Sequence, residues 1–118
     1  MYRTITRNEA LRSYPQLRTL LELSPESGWV FRYIDNESGE VVALAGSRSL
    51  QRYTDAIFIF DRHEVGAARV LDDAYGGGCV WKKEGDLQEI IYELLALPEP
   101  GEPGAPALVK ASSLLWTP

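Results

Sequence analysis

The stretch that decides the fold is YTDAIFIFDRHEVGAARVL, from Tyr53 to Leu71. Its first half reads as a strand. Ala56-Ile-Phe-Ile-Phe60 is apolar on both faces, which marks a central strand covered on both sides. The second half turns on Asp61-Arg-His-Glu64. An aspartate three residues ahead of a glutamate, just before an apolar residue, has the form of a capping box, in which each side chain takes up an orphan amide of the first helical turn. Val65, Ala68 and Leu71 then fall at helical spacing, so a helix is expected, ending before Gly76.

Working outward from there, Cys79-Val-Trp-Lys82 reads as a further strand. Asp86-Leu-Gln-Glu89 is another capping box. After it Leu87, Ile90, Ile91, Leu94 and Leu95 stand at i, i+3, i+4, i+7 and i+8, an amphipathic helix that Pro98 stops. Upstream, Trp29, Phe31 and Tyr33 alternate with Val30, Arg32 and Ile34 at the period of a strand. Asn36-Glu-Ser-Gly39 makes the turn, Glu40 to Ala45 returns, and Gly46-Ser-Arg-Ser49 reads as a loop. Near the start, Thr6-Arg-Asn-Glu9 is a capping box for a short helix over about 7–12. Ser13-Tyr-Pro-Gln16 repeats the pattern ahead of a second helix carrying Leu17, Leu20 and Leu21. Ser24-Pro-Glu-Ser-Gly28 reads as a turn.

The expected order is therefore ααβββαβα. It implies an α+β domain with a small, mostly antiparallel four-stranded sheet packed by helices, and a strand–helix–strand unit from Tyr53 to Lys82 could add one parallel pair. Residues 1–97 form this single domain. Residues 98–118 are a linker and tail: Pro98-Glu-Pro-Gly-Glu-Pro-Gly-Ala-Pro106 is expected to be extended and polyproline-like. Leu114, Leu115 and Trp116 are expected to dock on the domain or on a partner.

Length and composition limit the function classes. The chain has 118 residues, enough for one domain with a core of its own. The one cysteine, Cys79, allows no internal disulfide, and the N-terminus has no apolar signal segment, so a cytoplasmic protein is expected. No apolar run is long enough to span a membrane. The formal net charge of −5 argues against nucleic-acid binding, which depends on neutralising phosphates. All nine arginines lie between Arg3 and Arg69, and the negative excess falls in the C-terminal part.

Several constellations could carry chemistry. Asp61 and His63, with Arg48 from the preceding loop, could line a ligand pocket at the end of the central strand. The plain alternative makes Asp61 a cap and His63 an exposed first-turn residue. A His63–Cys79 dyad lacks an orienting group, and Cys79 is expected to be a small buried thiol in its strand. One histidine and one cysteine cannot make a zinc site, and no cofactor or metal is expected. Gly76-Gly-Gly78 lacks the Lys-Ser/Thr of a phosphate loop and reads as a helix cap and turn. Asp72 and Asp73 fall in the last turn of the expected helix, where the macrodipole disfavours acids.

Asp72, Asp73 and Trp116 are accordingly the candidate partner-binding residues. No catalytic set is complete. The leading expectation is a non-enzymatic, acidic interaction protein of inhibitor, immunity or regulatory type. It would bind a basic protein partner or self-associate as a homodimer. A small enzyme or ligand-binding domain around Arg48, Asp61 and His63 is the alternative.

Overall fold

The computed structural model of the chain describes residues 2–23 and 28–106. The turn expected at 24–27 and the apolar tail with Leu114, Leu115 and Trp116 lie outside the described residues.

The class is α+β, but the sheet has six strands rather than four. They are β1 (Tyr2–Ile5), β2 (Val30–Asp35), β3 (Val41–Leu50), β4 (Tyr53–Asp61), β5 (Glu64–Leu71) and β6 (Cys79–Gly85). Their spatial order is their chain order, β1 to β6, and every neighbouring pair is antiparallel. Helices α1 (Arg7–Ser13) and α2 (Leu17–Leu23) are inserted between β1 and β2, and α3 (Leu87–Ala96) follows β6.

The main correction falls on Asp61–Leu71. Asp61 does cap, but it caps a turn: its Oδ1 accepts from the His63 amide at 2.7 Å, and Asp61 pairs with Glu64 across a tight hairpin. A carboxylate that satisfies an amide two residues on serves a turn as well as a helix. The residues after it alternate at period two, with Val65, Ala67 and Arg69 buried and Gly66, Ala68 and Val70 half-buried. The parallel pair expected between Tyr53 and Lys82 is replaced by two antiparallel ladders.

Two further strand segments went unread. Tyr2–Ile5 forms a short edge strand on β2. Gly46–Ser49, expected as a loop, continues β3 through the centre of the sheet. Gly46 is there for close packing: a Cβ on it would lie 2.7 Å from Phe31 Cε1 and 3.1 Å from Ile57 Cγ2.

Of the other local signals, two hold and two do not. The Thr6–Glu9 capping box is formed in both directions, with Glu9 N donating to Thr6 Oγ1 at 3.1 Å and Thr6 N to Glu9 Oε1 at 3.2 Å. Asn36 Oδ1 accepts from the amides of Ser38 and Glu40, closing the β2–β3 turn. Ser13, expected as a cap, instead places its hydroxyl 3.0 Å from that of Tyr33. Asp86 stands at the N-cap of α3 but makes no side-chain cap bond.

All three helices share one face of the sheet. Leu17, Leu20 and Leu21 of α2 and Leu87, Ile90, Ile91 and Leu94 of α3 join Phe31, Leu44, Ile57, Ile59, Val65 and Ala67 in one buried cluster. Each fully buried side chain of this kind contributes about 1.5–3 kcal/mol over exposure. The described residues thus form two layers, and the second face of the sheet carries no described helix.

Candidate functional site

The helix-covered face holds an ionic set at one end. Arg48, Asp55 and Arg69 stand side by side on β3, β4 and β5, because the register pairs Arg48 with Asp55 and Asp55 with Arg69. Asp55 and Arg69 are fully buried and Arg48 nearly so. Arg69 donates to both carboxylate oxygens of Asp55, from Nε at 2.7 Å and from Nη2 at 3.0 Å. Arg48 donates to Asp55 Oδ2 from Nε and Nη2 at 3.2 and 3.1 Å, and its guanidinium lies over the Trp29 ring.

Two guanidiniums against one carboxylate leave a positive charge inside the fold. The segment after α3 answers it. Arg69 Nη1 donates to the Pro98 carbonyl at 2.6 Å, and Glu99 Oε1 lies 3.9 Å from Arg48 Nη1. Glu99-Pro-Gly-Glu102 and Glu102-Pro-Gly-Ala105 form two successive turns, closed by Glu102 N to Glu99 O and Ala105 N to Glu102 O, both at 3.0 Å. Gly101 and Gly104 have φ of 88° and 85°, as the third position of a type II turn after proline requires. Residues 98–106 are therefore a folded clasp rather than an extended linker.

The other face is built differently. Its centre is small: Ala43 and Ala45 on β3, Ala56 on β4, and Gly66 and Ala68 on β5. Phe58 and Phe60 rise from this floor, 39% and 52% exposed, and Val30 is 46% exposed. Among the described residues the central strand β4 is thus covered on one side only, whereas its sequence led to an expectation of burial on both. Large exposed aromatics on a floor of small side chains, flanked on the same face by Arg32 opposite Ala45 and Lys82 opposite Ala68, make a partly apolar surface of the kind that marks a contact site.

One end of this face is rimmed with acids. The β2–β3 turn brings Glu37 and Glu40, the β4–β5 turn Asp61 and Glu64, and the end of β6 with the start of α3 brings Glu84 and Asp86, all exposed. Arg62 stands among them. A shallow depression on this end is lined by Phe60, His63, Glu64, Gly66 and Glu84. Tyr14, at the C-terminal end of α1, closes the same end of the molecule. Burial raises its phenol above the usual pKa of 10.0, with the Asp61 carboxylate adding to the shift and Arg62 opposing it.

The structure separates the residues of the alternative pocket. Arg48 is tied into the ionic set, whereas Asp61 and His63 occupy the hairpin at the opposite end of β4, about 20 Å along the strand from Asp55. His63 is exposed, with Nδ1 3.5 Å from Asp86 Oδ1. Cys79 is exposed rather than buried and pairs with Val70, far from that hairpin.

Asp72 and Asp73 do not end a helix. They open a one-turn 3-10 helix (Asp73–Tyr75), and Asp72 Oδ1 accepts from the Thr54 hydroxyl at 2.7 Å. The dipole conflict inferred from the sequence is absent, since acids at a helix start are favoured. Gly76, Gly77 and Gly78 all have positive φ, between 71° and 114°, and form the loop into β6. The residues that sequence reasoning missed are Phe58, Phe60 and the six rim acids. Their signal was the unbroken apolar run at 56–60, which shows an outward face only once no helix covers it.

Among the described residues no group of three or more His, Cys, Asp or Glu is placed to hold a metal ion, and no helix is long and apolar enough to cross a membrane. Comparison with protein families, with curated proteins and with solved structures gave no match.

Proposed function

We propose that this chain works by association rather than catalysis, binding a basic, partly apolar protein segment on the open face of its sheet. The observation that carries this is the joining of exposed Phe58 and Phe60 to a rim of six carboxylates at one end of the face. An apolar patch supplies contact energy, and a predominantly acidic rim, with Arg62 standing among the acids, raises the encounter rate of oppositely charged partners and selects among them. An inhibitory, immunity or regulatory role suits a small domain of this design. The small-ligand alternative loses support because Arg48 stands apart from Asp61 and His63.

The test uses a synthetic peptide of alternating leucine and lysine as the probe. Titrated into the isotope-labelled full chain, it should shift amide signals of Ala45, Phe58, Gly66 and Glu64. The affinity should fall at least tenfold between low and moderate salt, because exposed charges are screened. The double variant Phe58→Ser/Phe60→Ser should no longer bind. Shifts mapping to the helix layer, or unchanged binding by the variant, would overturn the proposal.

A further inference from the structure

The proposed contact face raises the question of what lies on it when no partner is present. The clasp 98–106 fixes where the rest of the chain departs. Pro98 is held on Arg69 and Glu99 beside Arg48. The second turn folds back, so that a Cβ on Gly104 would lie 4.0 Å from Pro98 Cγ. The chain thus leaves from beside β5, at the sheet end opposite the acidic rim, where β3 turns into β4.

The twelve residues from 107 to 118, which lie outside the described residues, read ALVKASSLLWTP. They contain Leu108, Val109, Leu114, Leu115 and Trp116, one lysine, and no acid. Removing the single charge of Lys110 from the net −5 leaves −6 on residues 1–106. This segment is largely apolar and free of acids, so its chemistry matches the open face itself; Lys110, four residues past Pro106, stays short of the acidic rim at the far end.

Its reach is sufficient. Twelve residues extend to about 40 Å. Phe58 lies three positions beyond Asp55 on β4, about 10 Å further along the sheet, and rounding the sheet edge adds about the thickness of one layer, roughly 10 Å.

We propose that residues 107–118 cover the open face of their own chain, occupying the contact surface until a partner displaces them. This rests on that face being the binding surface argued above. Ala43 and Ala45 of the floor are already buried, but Ala56, Gly66 and Ala68 are only half-buried, and they and the exposed rings of Phe58 and Phe60 gain cover from an added layer. The clasp then has a purpose beyond neutralising buried arginines: it fixes the segment's point of departure at the ends of the central strands.

The experiment compares the full chain with the full-length variant Leu114→Ser/Leu115→Ser/Trp116→Ser, which leaves the described fold untouched. With alanine methyl groups labelled, the variant should shift the signals of Ala43, Ala45, Ala56 and Ala68 on the open face. Ala10 and Ala67 in the helix-side core should stay in place. Both proteins should run as monomers in light scattering, and the variant should bind the leucine–lysine probe at least threefold more tightly, because the face is vacated.

Unmoved open-face methyls would overturn the inference. So would a dimer that the triple substitution converts to a monomer, since the occupant would then be a second copy's segment. If the variant binds the probe no better yet both proteins still bind it through Phe58 and Phe60, the contact face stands and its own-chain cover fails. If neither binds, both proposals fall.

Discussion

The two faces of this sheet invert the usual arrangement of a small domain. The covered face keeps two arginines and an aspartate out of water, while the open face puts two phenylalanines into it. Each oddity has a physical reason only in its own setting. The buried charges are tolerated because a guanidinium can share both oxygens of a carboxylate, and because the clasp supplies a carbonyl and a second acid. Among the described residues nothing covers the exposed rings, which is why they point to an occupant beyond the described fold. Burial alone therefore does not divide structure from function here. What divides them is whether a side chain's needs are met within the chain.

The largest effect should come from breaking the covered face at its centre. Asp55→Ala removes the one carboxylate between Arg48 and Arg69 and leaves two guanidiniums buried against each other. Removing one partner of a buried ionic set costs about 3–5 kcal/mol, and urea unfolding should show a loss on that scale. The clasp should loosen as well, seen as faster hydrogen exchange at the Glu102 and Ala105 amides. A loss below about 1 kcal/mol would mean that water reaches this set and that the two faces differ less in burial of charge.

A second pair of substitutions compares the faces with one methyl group. Gly46→Ala puts its Cβ into Phe31 and Ile57 on the covered face, an overpacking that costs about 1–3 kcal/mol. Gly66→Ala, on the open face of β5, meets nothing closer than the Lys83 carbonyl at 3.9 Å. That variant should be neutral within about 0.5 kcal/mol or slightly more stable, as a glycine replaced in a compatible strand often is. Equal costs at the two sites would show that something covers the open face more tightly than a displaceable segment could.

The same contrast explains how much was legible beforehand. The Thr6–Glu9 box, the Asn36 turn and the stripe from Leu87 to Leu94 are local, and each was readable because its partners lie within a few residues. Val65–Leu71 was not, since Val65, Ala68 and Leu71 fit a helix as well as Val65, Ala67 and Arg69 fit a strand. The strand reading needs a buried arginine, which has no rationale until Asp55 is known to face it. That pairing depends on register, which composition does not set. Gly46 was misread for a like reason, as its packing partners are 11 and 15 positions away. The tandem Glu-Pro-Gly turns are a different matter. Proline followed by glycine is a local type II signal, and overall proline and glycine content masked it. The open face was the least legible part, because an apolar strand does not reveal how many of its sides will be covered.

The smallest expected effect lies at Tyr14, where the helix layer meets the acidic rim. Burial is the main reason its phenol holds its proton above the usual range, and Asp61 is the second. The sign follows from comparing the two states. In the unfolded chain the group titrates near its ordinary 10.0, so just above that pH the unfolded state has lost a proton that the folded state keeps. The contribution to stability is fully present below pH 10 and is lost as pH rises through the folded value. Subtracting the tyrosinate absorbance titration of Tyr14→Phe from that of the native chain should isolate a midpoint above 10. Asp61→Asn should bring that midpoint down only part of the way, since burial, the largest cause, remains. A midpoint that returns wholly to 10 in Asp61→Asn would make the rim's charge, and not the helix layer's cover, the controlling influence on this residue.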